Sequence, residues 1–393
     1  MMVRAPPNRR QDRRVSGTWF TVANAVLTLA VLLPAPPPAS ANSDQKAQEI
    51  VDNVRGSATV GRSRGNWVVV PIPISNPTIG TGLQAVVMYL HPKRPGEEAA
   101  PNATSGIGGM YTSSDSWFAG AFHNNSWAND RFRFTGAVGE GDLNLSYYGT
   151  GGNSVSTNGL DYKLELAVLF SQLQVRLPWS TDWYGGVRYV YMRSKTIFNS
   201  GVAIPGIAAG EIDVPLRAAG LGALLTYDSR DDNYYPTRGQ YFQASWTDFN
   251  PTWGGDLDFN KSVDFYNYYH SFNERTVLAL RARIETSGDG TPFFFLSTLD
   301  MRGFPRDLYM DNYTLSTHAE TRYKFAARWG AVAFVEAGTY ADTFSGLADG
   351  TIITSYGTGL RWQVTADKPL NLALDGAVST DDSAIYLRIG EKY

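Results

Sequence analysis

The stretch from Tyr313 to Phe325 restricts the fold more than any other part of the chain. Tyr313, Leu315, Thr317, Ala319, Thr321, Tyr323 and Phe325 alternate without a break with Thr314, Ser316, His318, Glu320, Arg322 and Lys324. Successive strand residues point to opposite faces, so this is a strand with one largely apolar, aromatic face and one fully polar face. Two architectures accept it. In a soluble sandwich the polar face meets solvent and the apolar face the core. In an outer-membrane barrel the apolar face meets lipid and the polar face lines the lumen.

The start of the chain favours export. Arg4, Arg9, Arg10, Arg13 and Arg14 precede an apolar run of 15 residues, Trp19 to Leu33, and Ala39-Ser40-Ala41 is a small-x-small cleavage site. The run is shorter than the ~20 residues a spanning helix needs, so residues 1–41 are expected to be a cleaved signal peptide. No later run of 18 apolar residues occurs. Residues 42–79 are expected to be a short periplasmic lead-in. Asp44 to Val54 could form a small helix there, and Trp67 to Ile74, broken by Pro71 and Pro73, is too proline-rich for a central strand.

From Gly80 onward the pattern yields sixteen strand candidates: 80–91, 105–113, 116–125, 130–139, 142–149, 160–177, 183–194, 217–228, 238–249, 261–271, 275–286, 313–325, 329–340, 354–366, 370–379 and 383–393. Their connections sort into long ones (92–104, 150–159, 195–216, 250–260, 287–312, 341–353) and short ones (114–115, 140–141, 178–182, 272–274, 326–328, 367–369). That is the loop pattern of an outer-membrane barrel, with long external loops and short periplasmic turns. The link 126–129 is short for an external loop, and 229–237 is long for a periplasmic turn. Many tyrosines and tryptophans, among them Tyr147, Trp183, Tyr184, Tyr266, Tyr269 and Tyr313, fall near strand ends, where amphipathic rings settle at membrane interfaces.

Several function classes drop out. A net charge of −3 gives no electrostatic basis for a nucleic-acid partner, and the chain has no cysteine for a disulfide framework. No nucleophile elbow, H-E-x-x-H, Walker loop or dinucleotide fingerprint is present, and the four histidines, His91, His123, His270 and His318, are scattered. No enzyme, cofactor or metal is expected.

Four motifs occur in order. They are the turn Asp228-Ser229-Arg230-Asp231-Asp232-Asn233-Tyr234-Tyr235-Pro236-Thr237-Arg238-Gly239; Arg302-Gly303-Phe304 in the longest loop; Phe334-Val335-Glu336-Ala337-Gly338; and the ending Tyr386 to Tyr393 with Arg388 and Gly390. Together they resemble the BamA/TamA outer-membrane insertase superfamily, also called the bacterial surface antigen family, over about residues 70–393. The resemblance implies an all-β, sixteen-stranded antiparallel transmembrane barrel, residues 80–393, whose sixth external loop folds inward. It also implies that Arg302 at the loop tip meets Glu336, which stands where the family has aspartate. The residues support that pairing independently. A carboxylate facing lipid is costly, so Glu336 turns inward, and an inward charge calls for a partner such as the planar arginine fork. The resemblance further implies that Tyr393 belongs to the signal by which the barrel is itself inserted. The final strand would form a seam with the first strand at Gly80 and Gly82.

In the acidic turn, Asp228, Asp231, Asp232 and Asn233 could collect calcium, but their spacing is not that of an EF-hand loop. Local bonds to the turn's own backbone, with Pro236 and Gly239 fixing its shape, are the better expectation. About 38 residues between cleavage site and first strand leave no room for the periplasmic repeats of insertases, so the resemblance is to a barrel-only branch. The leading function is protein or lipid assembly or translocation at the outer membrane. A passive pore with a plug loop, or an anchoring barrel presenting its loops, is the alternative. Expected partners are outer-membrane lipids and an accessory or periplasmic protein supplying the docking module; the barrel is expected to be a monomer.

Overall fold

The computed structural model describes residues 66–76, 79–92, 103–147, 149–150, 153–154, 160–198, 215–232, 235–305, 308–363, 371–380 and 383–393. The expected signal segment and cleavage site, the helix expected at 44–54 and most of the expected 195–216 loop lie outside them. Among the described residues, long strands make one antiparallel sheet: β1 Asn66–Asn76, β2 Gly80–Leu90, β3 Thr104–Thr112, β4 Trp117–Trp127, β5 Phe132–Tyr147, β6 Leu160–Arg176, β7 Trp183–Phe198, β8 Pro215–Asp228, β9 Gly239–Phe249, β10 Phe259–Asn273, β11 Thr276–Ser287, β12 Tyr313–Lys324, β13 Trp329–Ala341, β14 Ile353–Gln363, β15 Asn371–Ser379 and β16 Ser383–Ile389. Each strand pairs with the next in sequence. The two ends of the series meet at one register pair, Ser75 with Leu387, and the Ser75 hydroxyl donates to the Ile385 carbonyl at 3.4 Å.

Two of the expected strand boundaries differ in the structure. Residues 66–76 are not lead-in but the first strand, paired with β2 over its whole length. Pro71 and Pro73 are tolerated because β1 is a seam strand. One of its two edges is nearly unpaired, which is where a sheet accepts proline. The expected strands 130–139 and 142–149 are one strand, β5, with no turn at 140–141. The glycines that suggest a break instead make room for a ring. A Cβ on Gly139 would come within 2.4 Å of the Phe118 ring, and one on Gly141 within 2.3 Å of the Trp117 carbonyl.

Removing the spurious turn inverts every connection upstream of it. One end of the sheet carries 148–159, 199–214, 250–258, 288–312 and 342–352, together with the short links 77–79, 113–116 and 380–382. The other end carries 128–131, 177–182, 274–275 and 325–328, together with 91–103, 229–238 and 364–370. The link at 126–129 is therefore no exception, since it lies at the short-turn end. The long 91–103 link lies at that end too, against the expectation.

The alternation of residues 313–325 is realised on β12. Thr314, Ser316, His318, Glu320 and Arg322 are buried on the inner face, and Leu315, Thr317, Thr321 and Tyr323 are exposed on the outer. The same parity places Val69, Leu83, Ile107, Val138, Leu169, Val187, Leu221, Leu280, Val335, Leu360 and Ile385 on the outer face, all exposed. An apolar surface this continuous is far beyond what a soluble monomer shows and fits a lipid-facing wall. Outward aromatic pairs ring the short-turn end. Trp67 lies 5.0 Å from Tyr89, Trp127 stacks at 5.5 Å on Phe132, and Trp183 lies 5.1 Å from Tyr227. Tyr147, Tyr184 and Tyr269, expected at an interface, are instead buried on the inner face.

Along β5, β6 and β7 the polarity reverses. These strands have 16, 17 and 16 residues, whereas a tilted strand needs ~9–11 to cross a bilayer. Near the short-turn end β6 shows Leu169 and Leu173 outside and Gln174 inside. Near the long-loop end it shows Asp161, Lys163 and Glu165 outside and Leu160, Tyr162, Leu164 and Leu166 inside. The surplus length thus behaves like a soluble sheet, with its apolar face inward. On that face sits the 288–312 loop. Phe293 contacts Tyr147 at 4.8 Å, Phe295 contacts Phe259 and Phe249 at 5.2 and 5.3 Å, and Leu296 and Met310 join Leu143, Leu145 and Leu164.

A charge placed on the two halves of this wall should separate them. Leu169→Arg is expected to cost about 2–4 kcal/mol in urea unfolding from lipid vesicles, whereas Arg193→Glu, outward on the surplus length of β7, should stay within about 0.5 kcal/mol.

Candidate functional site

The inward loop brings Arg302 onto the wall formed by β12 to β16. Its guanidinium Nε donates to Glu336 Oε1 at 2.7 Å, and its Nη1 donates to Glu320 Oε2 and Asp375 Oδ2, both at 2.9 Å. Its backbone N–H donates to Glu336 Oε2 at 2.5 Å. The guanidinium carbon lies 3.3 Å from the centroid of the Phe334 ring, a stacked cation–π contact. The expected pair of Arg302 and Glu336 therefore forms. Glutamate in place of aspartate reaches both the side chain and the backbone of Arg302.

Strand parity explains why these groups converge. Glu320, Glu336 and Asp375 lie on β12, β13 and β15 at inward positions, and each is essentially inaccessible. Phe334 is the inward residue one step along β13 from Glu336. Gly338, one step the other way, leaves the space the loop occupies: a Cβ there would fall 2.6 Å from Leu299 and 2.9 Å from Met301. Gly303 takes φ +98°, a left-handed conformation, and its Cβ would lie 3.1 Å from the Val378 and Ser379 backbone. Its N–H donates to the Tyr386 hydroxyl at 3.0 Å, and its carbonyl accepts from the Ser379 hydroxyl at 3.0 Å. Phe304 is buried against Tyr309, at 5.0 Å, and packs with Leu299, Met301 and Ile353.

A wider charge network encloses this contact. Arg322 Nε donates to Glu320 Oε1 at 2.9 Å, Arg361 Nη1 to Asp375 Oδ1 at 2.5 Å, and Arg388 also binds Asp375. His318 lies inward with Nδ1 3.1 Å from Glu336 and Nε2 3.2 Å from the Ser316 hydroxyl. The cations Arg302, Arg322, Arg361, Arg388 and Lys392 thus face the carboxylates Asp300, Glu320, Glu336, Asp375 and Glu391, and Arg281 and Arg283 also approach Asp300, at 3.9 and 3.6 Å. Pairing of this kind is what allows charge to be buried. Glu320, Asp375, Arg361 and Tyr386 were visible in the sequence as polar positions of their strands. Their convergence on Arg302 needed the register between strands, which the sequence does not carry.

The acidic turn is built by local bonds, as expected. Asp228 accepts a two-pronged contact from Arg230 at 2.8 and 2.9 Å, and Arg230 stacks over Tyr241 at 4.1 Å. Asp231 accepts from the Thr237 and Arg238 backbone at 2.9 and 3.1 Å, and Gly239 takes φ +99°. Pro236 reaches the interior, where its carbonyl lies 3.5 Å from Arg322 Nη1. The final motif departs from expectation. The last strand stops at Ile389, Gly390 turns at φ +86°, and residues 391–393 leave the sheet for the interior. Nor does the seam involve Gly80 and Gly82, which pair with β1 from within the sheet.

The arrangement is an ionic clamp on a loop. A family model described as an Omp85 superfamily domain matches residues 106–374. The chain belongs to the Omp85 superfamily. The fold is similar to three solved structures. BamA from Haemophilus ducreyi lacking POTRA domains 1–3 matches at TM-score 0.59 and 15% identity, over 84% of this chain and 70% of that one. CdiB from Escherichia coli matches at 0.57 and 13%, and CdiB from Acinetobacter baumannii at 0.55 and 9%. Both cover 84% of this chain, which spans only 63% and 60% of theirs. No curated protein matches the sequence. The superfamily resemblance read from the motifs therefore holds. Omp85 proteins are non-enzymatic barrels of the outer membrane, and this one is no enzyme.

Removing one partner of a buried ion pair leaves the others uncompensated. Arg302→Ala should cost about 3–5 kcal/mol in urea unfolding from detergent micelles. Gly303→Ala, which keeps every charge, should also destabilise, through strain at positive φ.

Proposed function

We propose that this Omp85 protein is a sixteen-stranded barrel, closed along the β1–β16 seam, that assembles or translocates protein or lipid at the outer membrane. The 288–312 loop acts as its displaceable plug. One observation carries the reading: a single loop is held by two unlike anchors. Phe293 to Leu296 sit on an apolar shelf at the long-loop end, and Arg302 is clamped by three carboxylates deeper in. An ionic clamp can be broken and remade without unfolding the wall, which suits a part that moves. The placement of long loops and aromatic rings supports the long-loop end as external and the short-turn end as periplasmic. Superfamily relatives are insertases and secretion transporters, which supports the same class here.

The test is reconstitution of residues 42–393 in liposomes, following the folding rate of an unfolded small barrel protein added outside. Acceleration that Arg302→Ala abolishes is the expected result. No acceleration, with steady conductance in planar bilayers that rises when residues 290–310 are deleted, would overturn it in favour of a passive pore.

A further inference from the structure

Residues 390–393 make a set of contacts that the plug reading does not use. Gly390 is the hinge. It has φ +86°, and a Cβ on it would meet nothing within 4 Å, so glycine is required there for conformation and not for space. Beyond it each residue engages a different part of the interior. The Glu391 carboxylate accepts from Arg361 Nε at 2.7 Å and Asn371 Nδ2 at 2.8 Å. The Lys392 ammonium donates to the Asp300 carbonyl at 3.2 Å and to Glu336 Oε1 at 3.4 Å, and lies 3.7 Å from Asp300 Oδ1. The Tyr393 carbonyl accepts from Arg322 Nη2 at 2.7 Å, and its ring lies 5.4 Å from the His318 ring, with the Arg281 guanidinium 5.9 Å away.

Asp300 belongs to the plug, two residues before Arg302. Lys392 therefore ties the plug to Glu336, the same carboxylate that clamps Arg302, but from the short-turn end. Arg322 extends the connection. It shares Glu320 with Arg302, holds Tyr393, and reaches the 228–239 turn through the Pro236 carbonyl and the Tyr235 ring, 5.5 Å away.

Resting on the plug reading above, we propose that residues 390–393 are an internal latch that holds the plug from the short-turn end, with Arg322 joining latch, turn and clamp. The latch excludes a second arrangement. Continuing the antiparallel register from Ser75 and Leu387 would set Glu391 opposite Pro71 and Tyr393 opposite Val69 on the free edge of β1. The same residues cannot lengthen the seam and hold the plug at once. A longer seam means an unlatched plug, and the two prolines on β1 bias the segment toward the interior.

The chain has no cysteine, so a single Met301→Cys reporter, normally buried against Leu299 and Phe304, can be introduced into the full protein. Its labelling rate with a water-soluble maleimide in proteoliposomes reads plug release. Lys392→Ala should raise that rate about tenfold, as loss of a charged hydrogen bond implies. Lys392→Arg should largely restore protection. Gly390→Ala, which strains the hinge and removes no charge, should raise the rate as well, and serves if Lys392→Ala does not fold. Unchanged labelling in both variants, with faster labelling in Arg302→Ala, would overturn the latch and leave the clamp standing. If Arg302→Ala too were unchanged, the plug reading itself would fall.

Discussion

Carboxylates cannot be left alone at the depth where Glu320, Glu336 and Asp375 sit. Strands β12, β13 and β15 bring them to one place on the inner wall, and among the described residues Arg302 alone bonds all three. The dependence runs both ways. Without the loop each of the three carboxylates would lose its bond to Arg302, and at this place the loop guanidinium finds three acceptors and an aromatic face. The position of the loop, the glycine at its tip, the small residue at Gly338 and the inward Phe334 all follow from satisfying that one demand.

The second organising feature is the reversal of polarity along β5 to β7. A strand that is apolar outward for part of its length and apolar inward for the rest is two kinds of sheet joined end to end. The lower part is a membrane wall around a charged interior. The upper part is a soluble sheet folded over Phe293 to Leu296. The question posed by the alternation of residues 313–325, sandwich or membrane wall, has one answer for β12. For β6 it has both.

Most of the wall was legible because period-two alternation is local: β11, β12, β14 and β15 show in the structure the faces their residues imply. Two errors had local causes as well. Pro71 and Pro73 argue against a strand only where both edges are paired, and β1 has one. Gly139 and Gly141 resemble a turn unless Phe118, on a neighbouring strand, is known to lie against them. The second error spread, because one false turn exchanges the two ends of every strand before it. At the site, Arg302 with Glu336 was legible from motif and parity. Glu320, Asp375 and Tyr386 were not, because their approach to Arg302 depends on the register between strands and on where the loop descends onto them. The ending at Gly390 was misread for a related reason. Alternation alone does not show that a glycine bends a strand out of its sheet when the bend is stabilised by charges contributed from elsewhere.

The reversal on β6 also fixes how deep the molecule sits. The outward apolar stretch runs only from Ala167 to Val175, and Lys163 and Glu165 close it on one side with charges that bond each other at 3.1 Å. A bilayer thicker than this stretch would have to bury those charges or thin locally around the barrel, each at some cost per ångström of hydrophobic mismatch. The charges at Lys163 and Glu165 thus set an upper edge to the apolar band on this side of the wall.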